Sequence, residues 1–394
     1  MVLQLSRKQA AHLLALYHFS PTDVPGVFER LGTVQYDPLN PVGRNPDLVL
    51  QARVPGYQVD DWQKTAYTDR VVYDAWDKMA CLVPVSDWPM RARLRAYTYS
   101  QHPQFLEEQA DAVVAALAEL DARGPLSSLD FEDQSHFAGR TTWHGPKRIQ
   151  HVLRALWDRG LIVTHHRQGG RHYYDRAERV IPPAYFHAQP MEDENESTRW
   201  MLARRSQSMG LIRPGGEPSI WSGCGPAARR ALAFKELVEM GQLVPVEISA
   251  SGGKGWPAYL PANALKLLEA PASEPRVIFL GPLDSLLWDR RGVMQLFDFE
   301  YIWEVYKPEP LRRWGYYVLP VFYKDRFVAR LDSRLERGSW TITRWWWEPD
   351  VTPTIDLLDA LQTAAKNFAL YLRASSVRVE ASVPPLVREA MTIE

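Results

Sequence analysis

Apolar residues recur every three or four positions along much of the chain, a spacing that predicts amphipathic helices. In Ser6–Phe19 the apolar positions are Leu13, Leu14, Leu16 and Tyr17. The same pattern predicts seven further helices, which are Thr22–Leu31, Leu106–Ala122, a short one near Ser127–Gln134, Pro146–Arg159, Glu196–Met209, Ala227–Gly241 and Thr354–Arg373.

Short runs rich in β-branched and aromatic residues, bounded by turn residues, predict strands. Two hairpins are expected, one around Gln168–Gly170 and one around Ser251–Trp256. The C-terminal part holds five more such runs, which are Arg276–Leu280, Tyr316–Tyr323, Arg326–Asp332, Ser339–Trp347 and Ser375–Ala381. With a single helix among them, these runs predict a small barrel or curled sheet packed by one helix.

The order of elements in residues 101–190 indicates a winged helix-turn-helix, because two helices are followed by a basic hairpin. Pro146 stands where a first helical residue would, and Gly160 where a C-terminal cap would. Residues 191–270 repeat the plan with a less one-sided charge, so a structural role there is as reasonable as DNA contact. Residues 1–100 and 271–394 form the first and last of four expected segments.

Composition narrows the protein class. The 394 residues are 46% hydrophobic and 24% charged, values that exclude a disordered, collagen-like or coiled-coil chain. The N-terminal stretch interrupts its apolar residues with charges, which favours a helix over a signal peptide. Cys81 and Cys224 are too few for a disulfide framework, and we expect buried thiols in a cytoplasmic protein. No zinc spacing or nucleotide-binding glycine motif is present, so we expect no metal and no organic cofactor.

Positive charge is concentrated in one segment although the net charge is −1. Residues 140–179 hold nine Lys or Arg against three acids. On the predicted helix Pro146–Arg159, Lys147, His151 and Arg154 recur at helical spacing, and Arg148 lies beside them. Arg167 and Arg171 flank the tip of the hairpin that follows. Cations in these places predict contacts with phosphates in double-stranded DNA. The alternative that stays open is a solvated basic face.

The segment VQYDPLNPVGR, residues 34–44, holds the candidate chemistry. Asp37 and Asn40 each precede proline, which favours extended backbone. In an extended chain Gln35 and Asp37 share a face, and Tyr36 points the other way. The alternative is that Asp37 caps a turn and Gln35 is simply exposed.

This segment, continued to Arg53, resembles the Gln-x-Asp motif region of the YcaQ/AlkX branch of the AlkZ/YcaQ family of bacterial winged-helix DNA glycosylases. The resemblance extends to residues 145–182 and to the unusual stretch from Gly281 to Asp332, and it covers nearly the whole chain. It implies an α+β fold of tandem winged helix-turn-helix domains, the first at 1–100, followed by a C-terminal β-barrel-like domain. It also implies that Gln35 and Asp37 are the catalytic pair and that Asn40, Arg44 and Asn45 are near the DNA.

Two departures from the family pattern matter. The AlkZ branch has Gln where this chain has Asp37, which puts the substrate range in question. Lys78 and Met79 replace a His-Glu pair that the family commonly carries, so any contact that this pair makes is in doubt here. A lysine near the site opens a Schiff-base lyase route, whereas an exposed or ion-paired lysine is the simpler interpretation.

The activity that the resemblance implies is hydrolysis of the N-glycosidic bond of N7-alkylated guanine in duplex DNA, including the unhooking of crosslinks. The alkylated base already carries positive charge, so the reaction needs a stabilised oxocarbenium-like sugar and a placed water more than a strong acid. We expect a monomer that releases the base without cutting the strand. Two alternatives remain, a non-enzymatic winged-helix transcription regulator and a protein that sequesters crosslinks without turnover.

Overall fold

The computed structural model describes residues 2–100, 104–136, 147–250 and 253–392. Its helices, in chain order, are α1 (Arg7–Phe19), α2 (Val24–Leu31), α3 (Asn45–Gln51), α4 (Ala92–Ser100), α5 (Phe105–Glu108), α6 (Ala110–Arg123), α7 (Arg148–Arg159), α8 (Ala177–Val180), α9 (Pro183–Phe186), α10 (Glu194–Met209), α11 (Ala227–Glu239), α12 (Arg290–Phe297), α13 (Ile355–Tyr371) and α14 (Pro385–Met391). None of the helices in these ranges has the length and apolar character needed to cross a membrane.

Most of the strands are short, and they are interspersed with the helices along the chain. They are β1 (Leu3–Leu5), β2 (Val34–Gln35), β3 (Val72–Trp76), β4 (Ala80–Pro84), β5 (Leu126–Ser127), β6 (Ile162–Gln168), β7 (Arg171–Arg176), β8 (Leu243–Ala250), β9 (Gly253–Pro261), β10 (Val277–Phe279), β11 (Val318–Tyr323), β12 (Arg326–Glu336), β13 (Ser339–Trp347) and β14 (Ser376–Val379). Both predicted hairpins are confirmed, as β6–β7 and β8–β9.

Capping residues explain why the predicted helix boundaries hold. Ser6 accepts a hydrogen bond from the backbone N–H of Gln9, and the Gln9 side chain accepts one from the Ser6 backbone in return. Gly160 ends α7 in the left-handed conformation, at φ +76°. Pro146, predicted as the first residue of this helix, lies outside the described residues.

The predicted helix near Ser127–Gln134 is wrong. Ser127 belongs instead to β5, and the Asp130 carboxylate accepts from the Ser127 backbone N–H at 2.8 Å and from its hydroxyl at 2.6 Å. A short acidic side chain that bonds nearby backbone in this way stabilises a turn in place of a helix.

The chain forms two compact units that are each assembled from separated stretches of sequence. Unit 1 holds residues 1–62, 77–80 and 201–394, and unit 2 holds 63–76 and 81–200. These two units do not test the four consecutive segments expected from the sequence, which stay a prediction.

Unit 1 contains two sheets. In the first, β1 runs parallel to β8, and β9 completes a three-stranded sheet in the order β1-β8-β9. The second is a curled five-stranded sheet in the order β10-β11-β12-β13-β14. Helix α13 packs on it, with the Phe368 ring 5.1 Å from Phe279 and 5.0 Å from Trp340 between centroids. A half-barrel covered by one helix thus stands where a barrel-like domain was predicted.

A buried ion pair lies in the core of unit 1. The Arg53 guanidinium donates to both carboxylate oxygens of Asp284, at 2.7 and 2.9 Å, and both side chains are wholly buried. Arg53 also lies 3.3 Å from Nδ1 of His18, whose Nε2 is 3.0 Å from the carbonyl oxygen of Met209. Burial, followed by the charge of Arg53, lowers the pKa of His18 to about 4. His18 is therefore neutral, with Nε2 donating and Nδ1 accepting.

Unit 2 contains a three-stranded sheet in the order β5-β7-β6 with α6 and α7 beside it. The predicted apolar face of α7 forms its core, where Ile149, Val152, Leu153 and Leu156 are buried against Leu120 of α6. The helix and the hairpin thus take the places that the periodicity predicts.

Candidate active site and nucleic-acid interface

Gln35 is the last residue of β2, and Asp37 follows two residues later. A proline-rich loop then leads to α3. The backbone N–H of Tyr36 donates to the carbonyl oxygen of Ala80 at 2.8 Å. The Tyr36 ring packs edge-on against Trp62, with 6.1 Å between centroids. The segment is therefore held on the Tyr36 side by both backbone and ring contacts.

The loop after Asp37 is held at several further points, all within unit 1. The carbonyl oxygen of Pro41 accepts from the Leu335 backbone N–H at 2.7 Å, and that of Val42 accepts from the Tyr371 hydroxyl at 3.0 Å. Gly43 has φ +97°, and a Cβ there would lie 1.7 Å from the Tyr371 hydroxyl oxygen. Only glycine fits this position, because any side chain would meet Tyr371 and strain the backbone.

Asn45 connects the loop back to the strand that carries Gln35. Its Nδ2 donates to the carbonyl oxygen of Gln35 at 2.7 Å, and its Oδ1 accepts from the Leu283 backbone N–H at 3.3 Å. The side chain is wholly buried. The expectation that Asn45 lies near the DNA as a contact is therefore corrected, since a buried amide with two internal partners positions the loop.

Asp37 is half-buried and uses one oxygen to hold its own turn. Its Oδ1 accepts from the Leu39 backbone N–H at 2.9 Å. Burial raises the pKa of the Asp37 carboxyl, and this one hydrogen bond opposes the shift. Asp37 thus caps a turn, as one part of the alternative interpretation expects. This cap occupies one carboxylate oxygen, and the structure gives no partner to the other among the described residues.

Gln35 is 7% exposed, which rules out the alternative of a simply exposed side chain. Its Oε1 is buried and has no hydrogen-bond partner within the described part of the chain. A buried amide oxygen without a partner costs about 1–3 kcal/mol unless a water or ligand supplies a donor. Gln35 is thus a natural place for a water.

Arg44 forms its ion pair with an acid other than Asp37. Its guanidinium pairs with Asp60 at 3.2 Å, and its backbone N–H donates to Asp47 at 3.1 Å. Asp47 also accepts from the Tyr57 hydroxyl at 2.8 Å and from the Asp60 backbone N–H at 2.7 Å. Burial raises the pKa of Asp47 to about 6 despite these donors. This network orders the start of α3.

Tyr317 is a neighbour of Asp37 that the sequence did not reveal. It is 1% exposed, and its hydroxyl has no hydrogen-bond partner among the described residues. Burial raises the pKa of Tyr317 well above its usual value, and the negative charge of Asp37 adds to the shift. Nothing in the local sequence distinguishes this tyrosine from other aromatic residues of the strand region, so only the folded chain identifies it.

The predicted DNA contacts at α7 have partners within the chain, and two of the four, Arg148 and Arg154, have ionic ones. The Arg148 guanidinium lies 2.7 Å from Asp111 and 3.6 Å from Asp133. Lys147 donates to the Gln134 side chain, and the His151 ring lies 6.4 Å from that of Phe105. These residues are partly buried. Part of the positive charge that the sequence concentrates here is therefore paired within unit 2.

Arg154 is an exposed cation of this helix, with a side chain that is 53% exposed. Its Nε donates to Asp158 at 2.9 Å, and its guanidinium carbon lies 4.5 Å from the centroid of the Trp76 ring. The Trp76 indole N–H donates to the same carboxylate at 2.9 Å. The Asp158 carboxylate thus holds both the guanidinium and the indole ring over which it lies.

Arg167 is a correction to the predicted interface. It is 9% exposed, and it donates to Asp74, to the Tyr67 hydroxyl at 2.9 Å and to His172 Nε2 at 2.7 Å. Burial, with the Arg167 charge next, lowers the pKa of His172 to about 4. Arg167 therefore belongs to the core network of unit 2, whereas Arg171 at the hairpin and Asn40 in the loop are exposed.

Comparison with known proteins gives this arrangement a family. Residues 28–371 match the family model described as DNA glycosylase AlkZ-like. The chain belongs to the AlkZ-like DNA glycosylase family. Its fold is similar to that of the Streptomyces sahachiroi DNA glycosylase AlkZ, at a TM-score of 0.63 and 16% identity, over 97% of this chain and 100% of that one.

The unusual position Lys78 has a structural setting in this AlkZ-like chain. Its Nζ lies 5.6 Å from the centroid of the Trp288 ring, and the Arg205 guanidinium lies 5.3 Å from the same ring. Arg205 in turn pairs with the buried Asp77. Lys78 is thus partly buried over an aromatic ring, and its two interpretations stay predictions.

Proposed function

We propose that the protein is a hydrolytic DNA glycosylase of the Gln-x-Asp (YcaQ/AlkX) branch, which releases N7-alkylated guanine from duplex DNA and unhooks interstrand crosslinks. The observation that carries the proposal combines two features, two residues apart in the chain. The Asp37 carboxylate is half-buried, and Oε1 of Gln35 is buried without a hydrogen-bond partner among the described residues. Both lie on a segment fixed by contacts to the rest of unit 1.

Asp37 supplies the negative charge that the reaction needs. As the C1′–N9 bond of an alkylated guanine breaks, positive charge develops on the sugar and the base leaves neutral. A carboxylate in a partly desolvated site stabilises that developing charge more strongly than one in water. The same group accepts the proton of the attacking water as the new C1′–O bond forms.

Gln35 positions the water. Its amide presents an acceptor that is buried and unpartnered among the described residues, and such an oxygen accepts one water proton. The contacts of this segment to the rest of unit 1 restrain the backbone of both residues, which favours the placement of a nucleophile.

We assign DNA binding to tandem winged helices, with a smaller set of contact residues than the sequence predicts. The proposed contacts are Asn40, Arg44, Lys147, Arg148, His151, Arg154 and Arg171. Because phosphates compete with Asp111 and Asp158 for the arginines of α7, binding replaces existing ion pairs. Arg167 and Asn45 are left out, since both are buried.

The test is base release from a duplex that carries one N7-methylguanine. Wild type is compared with Asp37→Asn and with Asp61→Asn as a matched control, because Asp61 also uses one carboxylate oxygen to accept a nearby backbone N–H. Release by wild type and Asp61→Asn, with loss in Asp37→Asn, supports the proposal. Tight binding to one undamaged sequence without release favours a transcription regulator instead.

A nitrogen-mustard crosslink extends the test to the second part of the proposal. Separation of the two strands after treatment, with loss in Asp37→Asn, supports unhooking. Lesion binding without any product identifies a sequestering protein.

A further inference from the structure

Unit 1 carries a cavity of about 430 Å³ on the five-stranded sheet, at the place where the segment before β11 folds over β12 and β13. Its walls combine three arginines, two acids and three aromatic residues, which are Arg312, Arg334, Arg344, Glu309, Asp332, Trp314, Tyr316 and Tyr317. This size falls within the range of ordinary ligand pockets, which is about 300–1,000 Å³.

Asp332 lines the pocket together with the three arginines. Asp332 of β12 stands opposite Arg344 of β13 in the sheet register, and Arg334 lies two residues further along β12. Arg312 enters from the preceding loop, where its Nε donates to the Lys307 carbonyl at 2.9 Å. Burial raises the pKa of Asp332, and the charges of Arg344, Arg334 and Arg312 oppose the shift. The positive charges of three arginines thus act on the one carboxylate of β12 that lines the pocket.

The polar groups of the pocket are short of acceptors. Within the described residues, the Trp314 indole N–H, the Tyr317 hydroxyl and the Ser333 hydroxyl are buried and have no hydrogen-bond partner. All three residues line the cavity. Arg334 pairs with Glu336 at 2.9 Å, where both side chains are largely exposed. Such a site favours a ligand that is negatively charged and rich in oxygen acceptors.

The cavity adjoins the candidate catalytic segment. Pro41, four residues after Asp37, forms part of the wall, and its carbonyl oxygen bonds to the backbone N–H of Leu335 in β12. Tyr317 lines the cavity and also experiences the charge of Asp37. A group that occupies the pocket would therefore lie beside the loop that follows Asp37.

We propose that this pocket binds a backbone phosphodiester of the DNA strand next to the target nucleotide, with Arg312, Arg334 and Arg344 as its cationic ligands. The inference rests on the proposed function for the position of the DNA, and it assigns a phosphate anchor outside the helix and hairpin of unit 2. The alkylated base itself is a poor occupant, because a cationic guanine is repelled by three arginines. The phosphate anchor holds the strand beside the target nucleotide.

Binding to an undamaged duplex tests this inference independently of catalysis. The double variant Arg334→Gln/Arg344→Gln is compared with wild type and with Arg378→Gln. Arg378 is a matched control on β14 of the same sheet, exposed and paired with Glu380 two residues away as Arg334 is with Glu336. Affinity is measured by fluorescence anisotropy over a series of salt concentrations.

The double variant is expected to bind the duplex on the order of tenfold more weakly at moderate salt. The slope of log K against log[salt] should fall in magnitude by about 0.9 for each phosphate that the variant no longer neutralises. Arg378→Gln should match wild type. A double variant whose slope equals that of Arg378→Gln overturns the proposal, provided that thermal unfolding shows both proteins folded.

A second arm separates a DNA phosphate from a free one. Inorganic phosphate is titrated into wild type and the double variant, and binding is followed by calorimetry. Phosphate binding that depends on the two arginines, together with an unchanged duplex slope, identifies a free-anion site and overturns the assignment to DNA. Loss of base release in Asp37→Asn is measured separately, so the catalytic proposal and the phosphate anchor fail or stand on different results.

Discussion

The Asn45 side-chain amide donates a 2.7 Å hydrogen bond to the backbone carbonyl oxygen of Gln35 and so connects the first residue of α3 to the last residue of β2. Between them lies the loop that carries Asp37. Because the Asn45 oxygen also accepts from the Leu283 backbone, the same side chain ties this loop to the segment that follows β10. The position of the candidate catalytic pair thus depends on a residue that does not itself face solvent.

This link predicts the effect of Asn45→Asp. The carboxylate would place negative charge against the Gln35 carbonyl and would lose the donated hydrogen bond, so the free energy of unfolding should fall by about 1–3 kcal/mol. Asn40→Asp is the control, since Asn40 is exposed and uses only its oxygen, to accept from Gly43 at 3.0 Å. Denaturant unfolding should leave that variant within about 0.5 kcal/mol of wild type. Equal losses in the two variants would refute the link.

The buried pair Arg53–Asp284 predicts a larger loss. Arg53→Met leaves the Asp284 carboxylate buried without its partner, and such a change costs about 3–5 kcal/mol. Lys64→Met serves for comparison, because Lys64 pairs with Asp69 at 2.8 Å while its own side chain is 74% exposed. That exposed pair should contribute less than about 1 kcal/mol. Chemical denaturation measures both, and similar values for the two variants would contradict the assignment of Arg53 to the core.

Arg167 and Arg171 lie on the same hairpin and should behave differently. Arg171→Gln should reduce the magnitude of the salt slope for duplex binding by about 1 and leave stability unchanged, because this side chain is exposed. Arg167→Gln should lower the unfolding temperature, since it leaves Asp74 without its buried ionic partner. Anisotropy and calorimetry on both variants check this. A reduced salt slope in a fully stable Arg167→Gln protein would return Arg167 to the DNA interface.

Some of these structural features could be predicted from the sequence, and others could not. Periodicity and caps identified α1, α7, α13 and both hairpins, because these depend on residues close together in the chain. The burial of Arg167 depends on Asp74, 93 residues away, and no local pattern reveals such a partner. That Gln35 and Asp37 share a face stays a prediction from the sequence and the family motif. Tyr317 and the arginine pocket emerged only from the folded sheet.

The pH dependence of base release should reflect the environment of Asp37. Catalysis requires the carboxylate form, and burial raises the pKa of this group. The rate should therefore fall as pH decreases, with a midpoint above the ordinary aspartate value of about 3.9. Single-turnover rates from pH 4 to 8, corrected for release without enzyme, provide the measurement. A midpoint at or below the ordinary value would contradict a half-buried catalytic carboxylate.

The most direct test of the account is single-turnover release of N7-methylguanine by wild type, Asp37→Asn and Asp61→Asn under identical conditions. The account predicts rapid release by wild type and Asp61→Asn, and a rate at least about 10²-fold lower for Asp37→Asn with unchanged duplex affinity. Equal rates for all three proteins would remove Asp37 from the mechanism. Binding without release in wild type would contradict a glycosylase that acts on this lesion.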